Sequence, residues 1–94
     1  MADVSKMFKA LGDENRLFMF KMISGGEICA CKILEQMHIS QPTLSRHMKV
    51  LVDSGLVKAR KDAQWMRYSI NEEALRELES FLKQMLVPNM VGIN

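Results

Sequence analysis

No stretch of this 94-residue chain approaches the roughly 20 consecutive apolar residues that a membrane-spanning helix requires. The N-terminus, MADVSKMF, lacks the cationic-then-apolar pattern of a secretory leader. Cysteine is scarce: Cys29 and Cys31 are too few for the disulfide framework on which small secreted domains depend. These absences lead us to expect a cytoplasmic protein. No segment repeats, none is of low complexity and no linker divides the chain. One domain over residues 1–86 is expected, followed by a loose tail over 87–94, where Pro88 and Gly92 end regular structure. Catalytic apparatus is missing too. There is no Gly-rich phosphate loop, no nucleophile with a base partner and no paired acid and base, so the chain does not read as an enzyme.

What is present is a globular composition, 48% apolar and 26% charged, with a net charge of +2 that is unevenly spread. Residues 1–39 are neutral, residues 40–68 carry +4 and residues 69–94 carry −2. The +4 segment contains ISQPTLSRHMKVLVDSGL, residues 39–56. Ser40 suits a helix N-cap, Pro42 suits the first turn, and Gly55 suits a C-terminal stop. Leu44, Met48, Leu51 and Val52 form one apolar stripe at helical spacing. The opposite face holds Gln41, Thr43, Ser45, Arg46 and Lys49, donors and cations with no carboxylate among them. Any solvated helix face is polar. The concentration of positive charge beside this one favours a surface that meets a polyanion.

Upstream, Val4, Met7, Phe8 and Leu11 predict a short amphipathic helix. Asp13 can cap a second helix, ENRLFMFKMI, whose apolar residues on most sides predict a central buried position. Ile33, Leu34 and Met37 predict a third helix from about Cys29 to His38, with His38 at a positive-φ stop. A tight turn then leads into the basic helix, which is the helix-turn-helix arrangement. After Gly55 the period becomes two: Val57 and Ala59 alternate with Lys58 and Arg60, and Met66, Tyr68 and Ile70 alternate with Trp65, Arg67 and Ser69. This predicts a β-hairpin joined through Asp62-Ala63-Gln64, its basic residues lying along a DNA backbone as a wing. A last helix from about Glu72 to Leu86 lines up Leu75, Leu78, Leu82 and Met85. The expected fold is mainly α with a small β-hairpin, a winged helix-turn-helix in the order H-H-H-H-β-β-H. Two apolar helical faces on so small a domain call for a partner surface.

ALGDENRLFMFKMI, EICACKILEQM, SQPTLSRHMKVLVDSGLVKARKD and WMRYSI resemble, in order, the motifs of the ArsR/SmtB family of winged-helix repressors. The resemblance covers roughly residues 7–72. It implies a homodimer that binds a pseudo-palindromic DNA operator and leaves it when a metal or metalloid binds. It also implies a dimer interface of Val4, Met7, Phe8, Leu11, Leu75, Leu78, Leu82 and Met85, and DNA contacts at Gln41, Thr43, Ser45 and Arg46. Arg46 is the candidate for a bidentate contact with guanine, and Lys49, Arg60 and Lys61 are candidates for phosphate. His47, at the border of the apolar stripe, reads as packing or a local hydrogen bond. The wing departs from the family pattern in having no glycine in its loop, which predicts a longer or less regular turn.

Cys29-Ala30-Cys31 is the one constellation with further chemistry. Buried free cysteine is often only a small hydrophobe. At a helix N-terminus, however, the dipole favours thiolates, and soft thiolates suit As(III), Sb(III), Cd(II), Cu(I) or Zn(II). Arsenic-responsive members of the family share the C-x-C, often with a third cysteine where this chain has Leu34. Arsenite or antimonite is therefore the favoured inducer, at Cys29 and Cys31. Residues i and i+2 of one helix point about 200° apart, so chelation by both sulfurs predicts unwinding of the third helix and displacement of the DNA-reading helix. Two alternatives stay open. One is a DNA-binding regulator with inert or redox-sensing cysteines, although a disulfide at this spacing predicts distorted backbone. The other is a thiol-dependent metal carrier or oxidoreductase, which leaves the basic helix without a purpose.

Overall fold

The computed structural model describes residues 3–86; the tail expected over 87–94 lies outside the described residues. Helix α1 (Val4–Leu11) starts at Asp3, whose carboxylate accepts from the Ser5 and Lys6 amides. Helix α2 (Glu14–Ile23) is capped in the same way by Asp13, through the Asn15 and Arg16 amides at 2.9 and 3.1 Å. The two-residue strand β1 (Ile28–Cys29) leads into α3 (Ala30–Glu35), and a short connection leads into α4 (Gln41–Asp53). Strands β2 (Val57–Asp62) and β3 (Trp65–Ile70) precede α5 (Glu72–Leu86).

The strands form one antiparallel sheet in the order β1-β3-β2. The hairpin was expected; β1 was not, because two residues carry no readable alternation. Its ladder pairs Ile28 with Tyr68 and Cys29 with Arg67. The wing pairs Arg60 with Arg67 and Asp62 with Trp65, which leaves only Ala63 and Gln64 in the turn. The turn is thus as short as a hairpin allows, not lengthened by its missing glycine. The conformational demand falls on Ala63, at φ 58°. A left-handed alanine costs about 1–2 kcal/mol, partly offset by the greater chain entropy that glycine loses. Ala63→Gly is therefore expected to stabilise the fold by about 0.5–1 kcal/mol, read as a raised urea midpoint at unchanged slope.

One core unites the helices with the sheet. Met7, Met19, Ile23, Ile33, Leu44, Met48, Leu51 and Leu56 are fully buried, and Tyr68 and Leu78 close it from β3 and α5. Gly55 follows α4 at φ 90° with open space around its Cβ position, so the turn demands glycine for its backbone and not for room. Asn71 then ties this turn to the start of α5, donating from Nδ2 to the Gly55 carbonyl at 2.9 Å.

Three expectations are corrected. Helix α2 is not buried on most sides: Met19 and Ile23 enter the core, while Leu17 and Phe18 are exposed. Helix α3 ends at Glu35, earlier than His38, with Gln36 as its C-cap. His38 has no positive φ, since Ala63 is the one non-glycine residue with it among the described residues.

Candidate nucleic-acid interface and thiol pair

The polar face of α4 is built from its N-cap outward. Ser40 Oγ accepts from the Thr43 amide at 3.3 Å and donates to Thr43 Oγ1 at 3.0 Å. Thr43 Oγ1 in turn accepts from Arg46 Nη2 at 3.3 Å, which lays the guanidinium along the first turn. Gln41, Ser45, Arg46 and Lys49 are exposed and Thr43 is half-buried, all of them on the side of α4 away from its buried stripe. Lys49 is engaged by Asp53 at 3.0 Å, an exposed i,i+4 pair that a phosphate can replace at little cost. The face is anchored from behind by Leu44, Met48 and Leu51.

Sequence reasoning missed one polar tie between α4 and the rest of the domain. Arg16 of α2 donates from Nε to the Ala10 carbonyl at 2.7 Å and from Nη2 to the Lys9 carbonyl at 3.4 Å. Its Nη1 reaches His47 Nδ1 at 3.2 Å. Arginine has no acceptor, so in this hydrogen bond Nδ1 is the accepting atom. His47 does make a hydrogen bond, as expected, but with a residue 31 positions away. One guanidinium thus ties the end of α1, α2 and α4 together. Asp13 stands beside it at 4.0 Å, and its carboxyl is held below the ordinary value, chiefly by the Arg16 amide.

In the wing, Lys58, Arg60 and Lys61 are exposed. Arg60 is not free. Its Nε and Nη2 each donate to Glu27 at 2.8 Å, and this lowers the Glu27 carboxyl below its ordinary 4.5 and raises Arg60. Arg67 binds Asp62 at 2.7 Å and lowers that carboxyl in the same way.

The cysteines do not occupy one helix. Cys29 ends β1 with extended backbone, φ −72° and ψ 140°, and serves as N-cap of α3, its sulfur accepting from the Cys31 amide at 3.1 Å. Because Cys29 lies outside the helix, its side chain turns back toward Cys31. The two sulfurs are joined as a disulfide across a Cα separation of 5.2 Å, within the ordinary range. The 200° separation applies to two helical residues and so does not apply here; neither unwinding nor distorted backbone is needed to bring the sulfurs together. Helix α3 packs chiefly on β1 and β3, so the pair reaches the wing more directly than it reaches α4. Leu34, at the place of a third cysteine, packs half-buried against the core. Among the described residues no group of three or more His, Cys, Asp or Glu side chains is placed to hold a metal ion.

The residues expected at a dimer interface divide. Met7 and Leu78 belong to the chain's own core, and Val4, Leu11 and Leu75 are half-buried against it. Phe8, Leu82 and Met85 are exposed, with Phe81 and Leu86 beside them. The Phe8 and Phe81 rings meet edge to face at 5.9 Å, so exposed aromatic surface of α1 adjoins that of α5.

A helix-turn-helix whose second helix is cationic, followed by an antiparallel hairpin, defines the winged helix-turn-helix class of DNA-binding domains. Residues 13–59 match the bacterial regulatory proteins of the arsR family, and the chain belongs to that family. It is 45% identical over 76 residues to the arsenical resistance operon repressor of Staphylococcus aureus, covering 81% of this chain and 73% of that protein. It is 35% identical over 82 residues to an HTH-type transcriptional regulator of Methanocaldococcus jannaschii, covering 86% and 92%. The fold superposes on the crystal structure of an ArsR family transcriptional regulator with a TM-score of 0.80 at 22% identity, over 92% of this chain and 93% of that one, a likeness of fold alone. This chain is a DNA-binding transcription regulator and not an enzyme. No helix among its described residues is long and apolar enough to cross a membrane.

Proposed function

We propose that the chain is a homodimeric repressor of the cytoplasm that binds a pseudo-palindromic operator and leaves it when arsenite or antimonite binds Cys29 and Cys31. The observation that carries this reading is the convergence of the two sulfurs at the junction of β1 and α3. The relative of similar sequence named for arsenical resistance supports it. Gln41, Thr43, Ser45 and Arg46 read base edges, and Lys49, Lys61 and Arg60 face phosphate. The exposed apolar surface of Phe8, Phe81, Leu82 and Met85 joins two copies, so that two α4 helices meet two half-sites.

Reduced, the pair offers two soft thiolates, which suit As(III) or Sb(III) and, less well, Cd(II), Cu(I) or Zn(II). A third ligand comes from solvent or a small thiol, because Leu34 supplies none. Cys29 pairs with Arg67 on β3, so a ligand that repositions Cys29 acts on the ladder that carries the wing. Inducer and DNA are then linked by the inducer's different affinity for the two arrangements.

The disulfide favours a second reading, a redox sensor in which the pair gives up two electrons and two protons to an oxidant. One experiment separates the two. Fluorescence anisotropy of the reduced protein on duplex DNA from its own promoter is followed as arsenite, antimonite, Cd(II), Cu(I), Zn(II) or hydrogen peroxide is added. Release by arsenite or antimonite, abolished in Cys29→Ser/Cys31→Ser, is the expected result. Release by peroxide alone, reversed by a dithiol, supports the redox sensor. A complex that none of them disturbs leaves DNA binding standing and removes sensing at these cysteines.

A further inference from the structure

Arg60 stands on the exposed strand of the wing, yet one edge of its planar fork is engaged, Nε on Oε2 and Nη2 on Oε1 of Glu27, both at 2.8 Å. Two parallel N–H donors on two oxygens is also the geometry in which arginine grips a phosphate. A carboxylate of the same chain therefore fills a guanidinium edge of the kind that can grip a phosphate. Glu27 is not part of the hairpin, and it lies 33 residues from Arg60 in sequence. It is delivered by β1, whose pairing of Ile28 with Tyr68 and Cys29 with Arg67 sets the preceding residue beside the wing. Arg67 lies directly opposite Arg60 in the ladder and is engaged by Asp62 at 2.7 Å. Like charges facing each other across a ladder repel. Here each guanidinium has its own carboxylate, and the four groups together contribute no net charge to the wing.

We propose that Glu27 is an intrachain competitor of DNA phosphate for Arg60, so that the wing's grip on the backbone is limited by a residue of the segment that leads into the thiol pair. The inference rests on the reading of the wing as phosphate-facing. On its Nε–Nη2 edge Arg60 can take a phosphate only by giving up a carboxylate of matching geometry, so with Glu27 in place the exchange at that edge yields little. Replacing Glu27 by glutamine keeps a polar side chain of the same size and removes the charge that holds the fork.

The test is the salt dependence of binding to duplex DNA from the protein's own promoter, measured for the full chain under reducing conditions. For Glu27→Gln we expect binding tighter by roughly two- to fivefold for each wing, the strength range of one exposed ion pair. The slope of log K against log salt should steepen by about 0.9 for each wing that gains a phosphate. In an Arg60→Gln background the same substitution should leave the slope unchanged, because no fork remains to be released. That arm separates the competitor from a general effect of removing negative charge near DNA, which would act alike in both backgrounds. Far-UV circular dichroism and the thermal midpoint of each variant show that it is folded. A Glu27→Gln protein with unchanged or weaker binding and an unchanged slope overturns the inference, as does an equal steepening in both backgrounds. The wild-type titration reports separately on the underlying reading. If wild type shows no salt-dependent binding to duplex DNA, the phosphate-facing wing is wrong and the competitor falls with it.

Discussion

If two copies join through α5 as proposed, a protein carrying Leu82→Glu and Met85→Glu is expected to sediment as a monomer under conditions in which wild type sediments as a dimer, and to bind its operator about 10²-fold more weakly or worse. Leu82 and Met85 are 48% and 64% exposed, on a helix whose inner face is already satisfied by Ala74 and Leu78. Charges placed there cost the single chain little, because these side chains lie outside its core. They would cost the dimer a great deal, because two copies related by a two-fold axis would bring four extra carboxylates into one apolar seam. The loss on DNA follows from linkage: two half-sites held by one particle gain about 10²–10⁴ in avidity over one. The checks are sedimentation equilibrium and an operator titration of both proteins at the same concentration. A variant that remains dimeric would place the interface elsewhere, with the exposed Leu17 and Phe18 of α2 the next apolar surface to test.

Leu51→Ala is expected to destabilise the fold by about 2–5 kcal/mol, the range for removing a fully buried leucine and leaving a cavity. Leu51 is 0% exposed and packs in the core that backs the polar face of α4. In a domain of this size each kcal/mol moves the thermal midpoint by about 4–8 °C. A fall of at least 8 °C is therefore expected. Val50, one position earlier on the same helix, is 40% exposed, and Val50→Ala should change stability by less than about 1 kcal/mol. Thermal and urea unfolding at one fixed protein concentration provide the comparison, because a dimer's apparent stability depends on concentration. Similar losses at the two positions would mean that α4 presents a different face to the core, and the assignment of Gln41, Ser45 and Arg46 to the open face would fall with it.

Much of this was legible in short segments. The span of α4 followed from Ser40 as cap, Pro42 in the first turn and the Leu44-Met48-Leu51 stripe, all of which the structure shows. The hairpin followed from its period of two. Both are local signals, set by the backbone geometry of a single element. What misled was also local. The apolar composition of α2 suggested burial, but a helix on a small domain has only one side to bury, and Leu17 and Phe18 fall on the other. The missing wing glycine suggested a longer turn, but a two-residue turn accepts a left-handed alanine at a modest cost.

The sequence by itself determined which segments are helical, where the positive charge gathers, and that two thiols stand near the start of α3. Each follows from the spacing of residues within one segment, and spacing needs no partner to be read. Only the tertiary structure decided that Met7 turns inward while Phe8 meets Phe81, that Arg16 binds His47, and that Glu27 holds Arg60. It also decided that Cys29 stands outside the helix, because a two-residue strand exists only through its partner β3. Contacts between residues far apart in the chain depend on how elements pack, and packing is a property of the assembled core rather than of any one stretch of chain.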